Sequence, residues 1–170
     1  MKITDVRTVL LTGPCSGDPY ILGARSLRSA ALIEIYTDSG HVGIGETYAG
    51  YFCPELVPVA VEYFRPVLLG AGLLETGIHT LKQRMALCEN FWARIGFGQA
   101  VLAGIEAALW DLKGKLLGVP VCELLGGKCH DRLLAYATGG PSNWPPDRLK
   151  AKIERWTVDC SSTMTGAGRV

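Results

Sequence analysis

Hydrophobic and polar residues alternate along the first 46 residues, a pattern typical of β-strands with one buried face. Lys2 to Leu11 predicts a first strand, Ala30 to Thr37 ("AALIEIYT") a second, and His41 to Glu46 a shorter third. The residues "DSG" at 38–40 predict a tight turn between the last two strands, because glycine adopts the positive φ that such turns use. We therefore expect a three-stranded antiparallel meander.

After Glu46 the hydrophobic residues recur at helical spacing, which predicts a helical bundle. The predicted helices span residues 54 or 57 to 69, 78–96 and 99–117. Pro66 should break or kink the last turn of the first helix, because proline lacks the backbone N–H. Strands followed by helices indicate an α+β fold.

The helix over residues 99–117 has two hydrophobic faces. One is a stripe of large residues: Leu102, Ile105, Leu109, Leu112 and Leu116. The other is made mostly of small residues: Ala103, Ala107, Trp110 and Gly114. Small residues let another backbone approach, so an interior helix is expected, ending where Gly118 adopts the left-handed conformation.

The chain after residue 118 has a different character. Residues 119–132 predict a linker, "LLAYATGG" at 133–140 a short strand, and "PPDRLKAKIERW" at 145–156 an amphipathic helix. Residues 159–170 are small and polar and have no periodicity.

Composition excludes several classes of protein. A formal net charge of +1 gives no basic surface for nucleic acid or an acidic membrane. No run approaches the roughly 18 apolar residues of a membrane span, and the N-terminus does not have the pattern of a signal peptide. The six cysteines form no CxxC pair and have no zinc-ligand spacing to the histidines, so we expect reduced thiols in a cytoplasmic protein.

Two acids lie within the last helix of the bundle, Glu106 and Asp111. Five residues of helix separate them by about 140° around the axis, so they do not converge on one substrate atom without other groups. Asp111 and Lys115 are spaced as an ion pair four residues apart. We interpret these charges as ion pairs that orient the helix against a second domain; a catalytic pair is the alternative.

The segment from Ile105 to Gly126, with "AALWDLKGK" followed by "PVCELLG", resembles the signature of the mandelate racemase and muconate-lactonizing group of the enolase superfamily. The segments "KITDVRTVLL" and "YTDSGHVGIGET" are similar to the first strand and second hairpin of the same family. The resemblance covers roughly residues 1–155. The signature residues to which it gives a structural role are Glu106, Asp111, Lys115, Pro120 and Gly126.

This resemblance implies an N-terminal capping domain over residues 1–130, the first βα unit of a (β/α) barrel over 131–158, and an irregular tail over 159–170. It implies a full-length enzyme that removes the α-proton of a small-molecule carboxylate with the help of Mg²⁺, such as a sugar-acid dehydratase or a related racemase or cycloisomerase. In the family, three carboxylates hold the metal and a lysine or histidine is the base, all on barrel strands. Family members tend to be homo-oligomers.

A barrel of this kind needs about 250 residues, whereas 39 residues (170 − 131) follow Asp131. No lysine follows Lys152, and no set of metal carboxylates is evident. We expect that this chain alone binds no Mg²⁺ and is inactive, and that a frameshift, an early stop or a truncated gene model explains the change of composition near Asp159. The alternative is a non-catalytic remnant that binds a partner, or itself, through exposed apolar helices.

In the family, two loops of the capping domain contact the substrate; here they span Thr12 to Ser29 and Thr47 to Pro54. The resemblance therefore implies a set of candidate substrate contacts in these loops and in the first barrel strand: Arg25, Tyr48, Tyr51, Phe52 and Thr138, with Arg28 and Tyr136 as further candidates. Arginine suits a carboxylate or hydroxyl-rich substrate, and aromatic rings exclude water. Glu46 is expected to form a structural hydrogen bond or ion pair.

Overall fold

The computed structural model describes residues 1–14, 27–89, 93–130, 132 and 144–155, with only the backbone of Phe52 and Glu89. The described residues fall into two units. The first contains Met1–Pro14 and Leu27–Cys129, and the second contains residues 130, 132 and 144–155. The predicted strand at 133–140 and the tail at 159–170 lie outside the described residues.

The first unit begins with the predicted antiparallel meander, which is confirmed. Strands β1 (Ile3–Pro14), β2 (Leu27–Thr37) and β3 (Val42–Thr47) form one sheet in the order β1-β2-β3. The first two strands are longer than predicted, because their pairing continues to Pro14 opposite Leu27. Gly40 has a φ of 80° in the turn before β3, as expected.

The strict alternation of buried and exposed side chains predicted along β1 is wrong at the start of the strand. Strict alternation puts Ile3 and Val6 on opposite faces, yet both are buried, with 1% and 2% of their surface exposed. The register shifts between Ile3 and Asp5. An extra residue at such a bulge reverses the phase of the strand, so both side chains reach the core.

Helices follow the sheet in the first unit. They are α1 (Ala49–Phe52), α2 (Val57–Leu68), α3 (Leu73–Thr76), α4 (Ile78–Glu89), α5 (Phe97–Leu117) and α6 (Val121–Leu124), with a 3-10 turn at Pro54–Leu56. Two predictions need correction: α4 ends before the predicted residue 96, and the predicted linker contains α6. Of the two predicted starts of the first helix, the structure confirms Val57, because residues 54–56 form a separate 3-10 turn. Pro66 lies in the last turn of α2, which ends two residues later at Leu68.

The large-residue stripe of α5 forms the centre of the core. Leu102, Ile105, Leu109 and Leu112 are buried against Ile33 and Ile35 of the sheet and side chains of α2 and α4, and Leu116 is half-buried. Gly118 ends α5 in the left-handed conformation, and its N–H bonds to the carbonyls of Gly114 and Lys115. Both features confirm the sequence prediction.

The close backbone contact of α5 lies on a different face from the predicted one. A Cβ atom added at Gly43 would overlap the carbonyl oxygen of Ala108, and one at Gly45 would overlap that of Gly104. Strand β3 therefore lies directly on the Gly104 and Ala108 face of α5. Of the face predicted to meet another backbone, Ala103 and Ala107 are exposed, whereas Gly114 is buried and a Cβ there would lie 2.9 Å from the Val119 carbonyl oxygen.

Three polar contacts run along the same junction. Thr47 Oγ1 donates to the Ala100 carbonyl at 2.7 Å, the Ile44 N–H donates to Asp111 Oδ2 at 2.8 Å, and Lys115 Nζ donates to the Val42 carbonyl at 2.9 Å. The strand thus runs antiparallel to the helix over its whole length. The bonds of Ile44 and Val42 satisfy backbone groups of β3 that the sheet leaves open.

A charged cluster joins β1 to α2 at another edge of the first unit. Asp5 accepts hydrogen bonds from Arg7 Nε and Arg65 Nη2, both at 2.6 Å. The hydrogen bond from Arg7, then the Val6 N–H and the charges of both arginines, hold the pKa of Asp5 below its ordinary value, against the opposing effect of partial burial.

In the second unit, residues 146–155 are helical, within the predicted helix. Trp144 precedes it and is buried, with the Arg148 guanidinium 4.4 Å and the Lys152 ammonium 5.2 Å from the ring centre. Within the described ranges, no helix is both long and apolar enough to cross a membrane.

Replacing Gly45 with alanine should destabilise the first unit by at least about 2 kcal/mol, because the new methyl group overlaps α5 backbone that has no room to move. Gly13→Ala is the matched control, since a Cβ there meets nothing within 4 Å. Urea unfolding followed by circular dichroism measures both. Equal midpoints for the two variants would contradict the close packing of β3 on α5.

The stability that Asp5 contributes should depend on pH. Its pKa is lowered in the folded state, so this contribution is fully present above the unfolded-state value of about 3.9 and is lost as pH falls through the folded value. The difference in unfolding free energy between the wild type and Asp5→Asn should therefore be largest near neutral pH and shrink below about pH 4. Urea unfolding of both proteins across this range tests it; a constant difference would show that the charge of Asp5 is not involved.

Candidate functional site

An open cleft of about 630 Å³ lies at one end of the sheet. In the described part of the chain it is lined by residues 11–13 near the end of β1, residues 28–30 at the start of β2, and Glu46, Tyr48 and Tyr51 around the end of β3. The antiparallel pairing explains why they meet, because Thr12 lies opposite Ser29 and Ala31 lies opposite Thr47.

Helix α1 is held against the sheet by a second close contact. A Cβ atom at Gly50 would overlap the backbone and side chain of Ala31 in β2. Thr47, which is buried, also accepts the N–H of Ala49 on its hydroxyl at 3.3 Å. These contacts fix the turn from β3 into α1, and with it the two tyrosines at the cleft.

Two tyrosines and an arginine form one wall of the cleft. The rings of Tyr48 and Tyr51 are nearly parallel, at 5° and with centres 5.8 Å apart. The Arg28 guanidinium lies 5.1 Å from the centre of the Tyr51 ring, and its Nη2 donates to the Tyr51 hydroxyl at 3.4 Å. A cation above an aromatic face is attracted to it, so the three side chains support one another.

The other polar groups among the described lining residues are hydroxyl groups and one carboxylate. Thr12 Oγ1 and Ser29 Oγ lie 3.0 Å apart across the strand pair. Glu46 is exposed, and within the described part of the chain its side chain makes no hydrogen bond or ion pair. The expected structural bond of Glu46 is therefore a wrong prediction, because the residue lies on the outward face of β3 and away from α5.

The structure brings together some of the predicted contacts and leaves others undescribed. Tyr48, Tyr51 and Arg28 lie side by side in the cleft. Phe52 belongs to α1, but its side chain is outside what the structure describes, and so are all of Arg25, Tyr136 and Thr138. The predicted roles of these residues stay predictions.

Sequence reasoning missed Thr12, Ser29 and Glu46 as neighbours in one cleft. The sequence did contain one signal for Glu46. Glycines at 43 and 45 suit a close approach of β3 to a helix, and side chains alternate along a strand, so the residues at 44 and 46 point away from that helix. Finding the cleft also required the register of β1 on β2, which runs without a shift from Asp5 opposite Tyr36 to Pro14 opposite Leu27.

The two acids of α5 lie away from this cleft and pair with lysines. Lys115 Nζ lies 2.6 Å from Asp111 Oδ2, which confirms the predicted pair, and both side chains also bond the backbone of β3. Glu106 pairs with Lys82 of α4 at 2.6 Å.

The described residues do not fit a Mg²⁺ site. Within the ranges that the structure covers, no three histidine, cysteine, aspartate or glutamate side chains lie close enough together to hold a metal ion. Among the described residues that line the cleft there is a single carboxylate, whereas Mg²⁺ needs near-octahedral oxygen coordination. No chemical step is therefore assigned to a metal at these residues.

Residues 9–126 match the family described as mandelate racemase / muconate lactonizing enzyme, N-terminal domain. The chain belongs to this family. The match includes β2, β3 and helices α1 to α6. The family is part of the enolase superfamily, as the resemblance in the sequence implied, and in that superfamily this domain is the cap.

Relatives of known name agree with this assignment. A D-galactonate dehydratase family member from Musicola paradisiaca is 33% identical over 98% of this chain and 37% of its own length. Arabinonate dehydratase from Saccharolobus solfataricus is 38% identical over 71% of this chain and 32% of its own length. The chain thus spans about a third of the length of these relatives.

A solved structure confirms the α+β capping-domain fold. The crystal structure of a member of the enolase superfamily from Polaromonas sp. JS666 superposes with a TM-score of 0.74 and 27% identity, over 93% of this chain and 42% of that chain.

Replacing the two acids of α5 should have unequal effects on stability. Asp111→Asn should cost about 1–2 kcal/mol, because Asp111 bonds both Lys115 and the Ile44 N–H, while Glu106→Gln, which removes a single half-buried ion pair with Lys82, should cost less than about 1 kcal/mol. Urea unfolding of both variants provides the measurement. A larger loss for Glu106→Gln would mean that the contacts of Asp111 with β3 do not stabilise the fold.

Proposed function

We propose that this chain is the substrate-capping part of a sugar-acid dehydratase-type enzyme of the enolase superfamily. The observation that carries the proposal is the cleft, in which residues from the β1–β2 ribbon meet residues from the β3–α1 turn. In the family these are the two regions that contact the substrate. The dehydratase names of the relatives support the sugar-acid class.

The full-length enzyme would remove the α-proton of a carboxylate substrate, and Mg²⁺ bound elsewhere would stabilise the resulting negative charge. The described residues would bind the substrate. Tyr48 and Tyr51 offer apolar surface that excludes water, while Arg28 and the hydroxyls of Thr12 and Ser29 suit hydrogen bonds with a polyhydroxylated chain. Arg25, Phe52 and Thr138 are proposed as further contacts on the family pattern alone.

The proposed organisation is a capping domain over residues 1–130, the first βα unit of a barrel over 131–158, and a tail over 159–170. On this proposal the cap does not carry the reaction by itself. Glu106 and Asp111 lie on a helix away from the cleft, and each forms an ion pair with a lysine, which supports a structural role for each.

A second candidate is an interaction module that binds a partner or a second copy. The observation in its favour is a set of exposed apolar residues at and beyond the end of α5: Leu117, Val119 and Leu125. They would drive self-association of the chain.

A single set of measurements separates the two candidates. We expect D-galactonate added to the purified chain, with Mg²⁺ present, to shift the amide NMR signals of residues 28–30 and 46–51, with no exchange of its α-proton for solvent deuterium. The shifts follow from binding in the cleft, and the lack of exchange follows from a cap without the reacting groups.

Exchange above background that disappears in folded Asp111→Asn would contradict the capping role. No shift at the cleft, combined with self-association in analytical ultracentrifugation, would favour the interaction module. A monomer that binds the acid at the cleft would leave the capping role as the only one supported.

A further inference from the structure

We propose that Glu46 determines which class of sugar acid the cleft accepts. It would accept hydrogen bonds from the hydroxyl groups at the end of an aldonate, the monoacid, and it would disfavour an aldarate, which carries a second carboxylate there. The inference rests on the proposed function, since it assumes that the cleft receives the substrate end remote from the reacting carboxylate.

The first step is the direction of the side chain. Gly43, Gly45 and Thr47 are buried against α5, so alternation turns Ile44 and Glu46 to the opposite face. A slip of one residue would drive a side chain into the backbone of α5 at Gly104 or Ala108. The packing of β3 therefore fixes Glu46 at the cleft.

The second step compares Glu46 with other acids of the first unit. Asp5, Glu106 and Asp111 pair with cations, and Glu34 accepts the Tyr36 hydroxyl at 2.6 Å. Glu46 has no such contact among the described residues, although it borders a cleft. An ionised carboxylate only accepts hydrogen bonds, and those from hydroxyl donors to a charged oxygen are strong.

The third step is the charge of the cleft. Its described lining contains one cation, Arg28, and one anion, Glu46, so its formal charge is zero. A neutral lining matches hydroxyl groups better than a second carboxylate, which Glu46 would repel. Removing the charge of Glu46 would leave Arg28 as the one charge of that lining and would favour a dianion.

The fourth step concerns Arg28 itself, which is the group that could bind a second carboxylate. Its guanidinium faces the Tyr51 ring and donates to the Tyr51 hydroxyl. Some of the guanidinium N–H donors therefore point along the wall of the cleft. Arg28 thus holds Tyr51 in place and offsets the charge of Glu46, and both roles suit a neutral ligand end.

The experiment compares D-galactonate with galactarate, which differ only in a terminal hydroxymethyl group or carboxylate. Each is titrated into the wild-type chain, Glu46→Gln and Glu55→Gln, with the amide NMR shifts of residues 28–30 and 46–51 as the readout. Glu55 is exposed in the adjacent 3-10 turn and does not line the cleft, so Glu55→Gln makes the same change in net charge without changing the site.

The wild type and Glu55→Gln should bind D-galactonate about fivefold more tightly than galactarate, the size of effect expected for two charges a few Å apart in water. Glu46→Gln should bind galactarate at least as tightly as D-galactonate. Equal affinities in the wild type, or the same preference in Glu46→Gln and Glu55→Gln, would overturn the role of Glu46 while leaving the cleft as a sugar-acid site. Failure of both acids to shift the cleft signals would overturn the proposed function, and this inference with it.

Discussion

The direct backbone contact between β3 and α5 is the constraint on which the rest of the first unit depends. Glycines at 43 and 45 on the strand and at 104 on the helix let the two backbones come so close that a Cβ atom at any of the three would overlap the other element. Close approach lets the Thr47 hydroxyl reach the Ala100 carbonyl and lets Asp111 and Lys115 reach the strand backbone. A larger side chain at any of these glycines would separate the elements and break those bonds together.

This contact also determines which residues the cleft presents. Because alternate positions of β3 are buried on α5, Glu46 must face outward, and the buried Thr47 places the next turn of chain against β2. That turn positions Tyr48 and Tyr51 so that their rings stack, and Arg28 on the neighbouring strand β2 contacts Tyr51. The lining of the cleft is thus a consequence of how the sheet packs on one helix.

Much of the fold could be predicted from the sequence because its signals are local. Alternation identified the three strands, the spacing of Leu102, Ile105, Leu109 and Leu112 identified the buried stripe of α5, and Gly118 marked its end. The bulge near Ile3 could not be predicted, since it depends on cross-strand pairing that no single strand encodes. The close-contact face of α5 was misplaced by one residue because small residues occur on both sides of it.

The candidate site was less predictable, because its residues come from three separate stretches. Tyr48, Tyr51 and Arg28 could be named from the family pattern, but their stacking depends on how Gly50 lies against Ala31. Glu46 was expected to form a structural bond; its exposed position follows only from the phase of β3 on α5. The lysine partner of Glu106 likewise comes from α4, a helix distant in sequence.

Native-state hydrogen exchange of the purified chain tests the central role of the β3–α5 contact most directly. If the strand and the helix form one cooperative unit, the buried-face amides of β3 and the central amides of α5 should exchange with the same opening free energy and the same denaturant dependence, equal to those of global unfolding. Exchange of β3 at a much lower free energy, while α5 stays protected, would contradict the account, because the strand could then separate from the helix without unfolding the core.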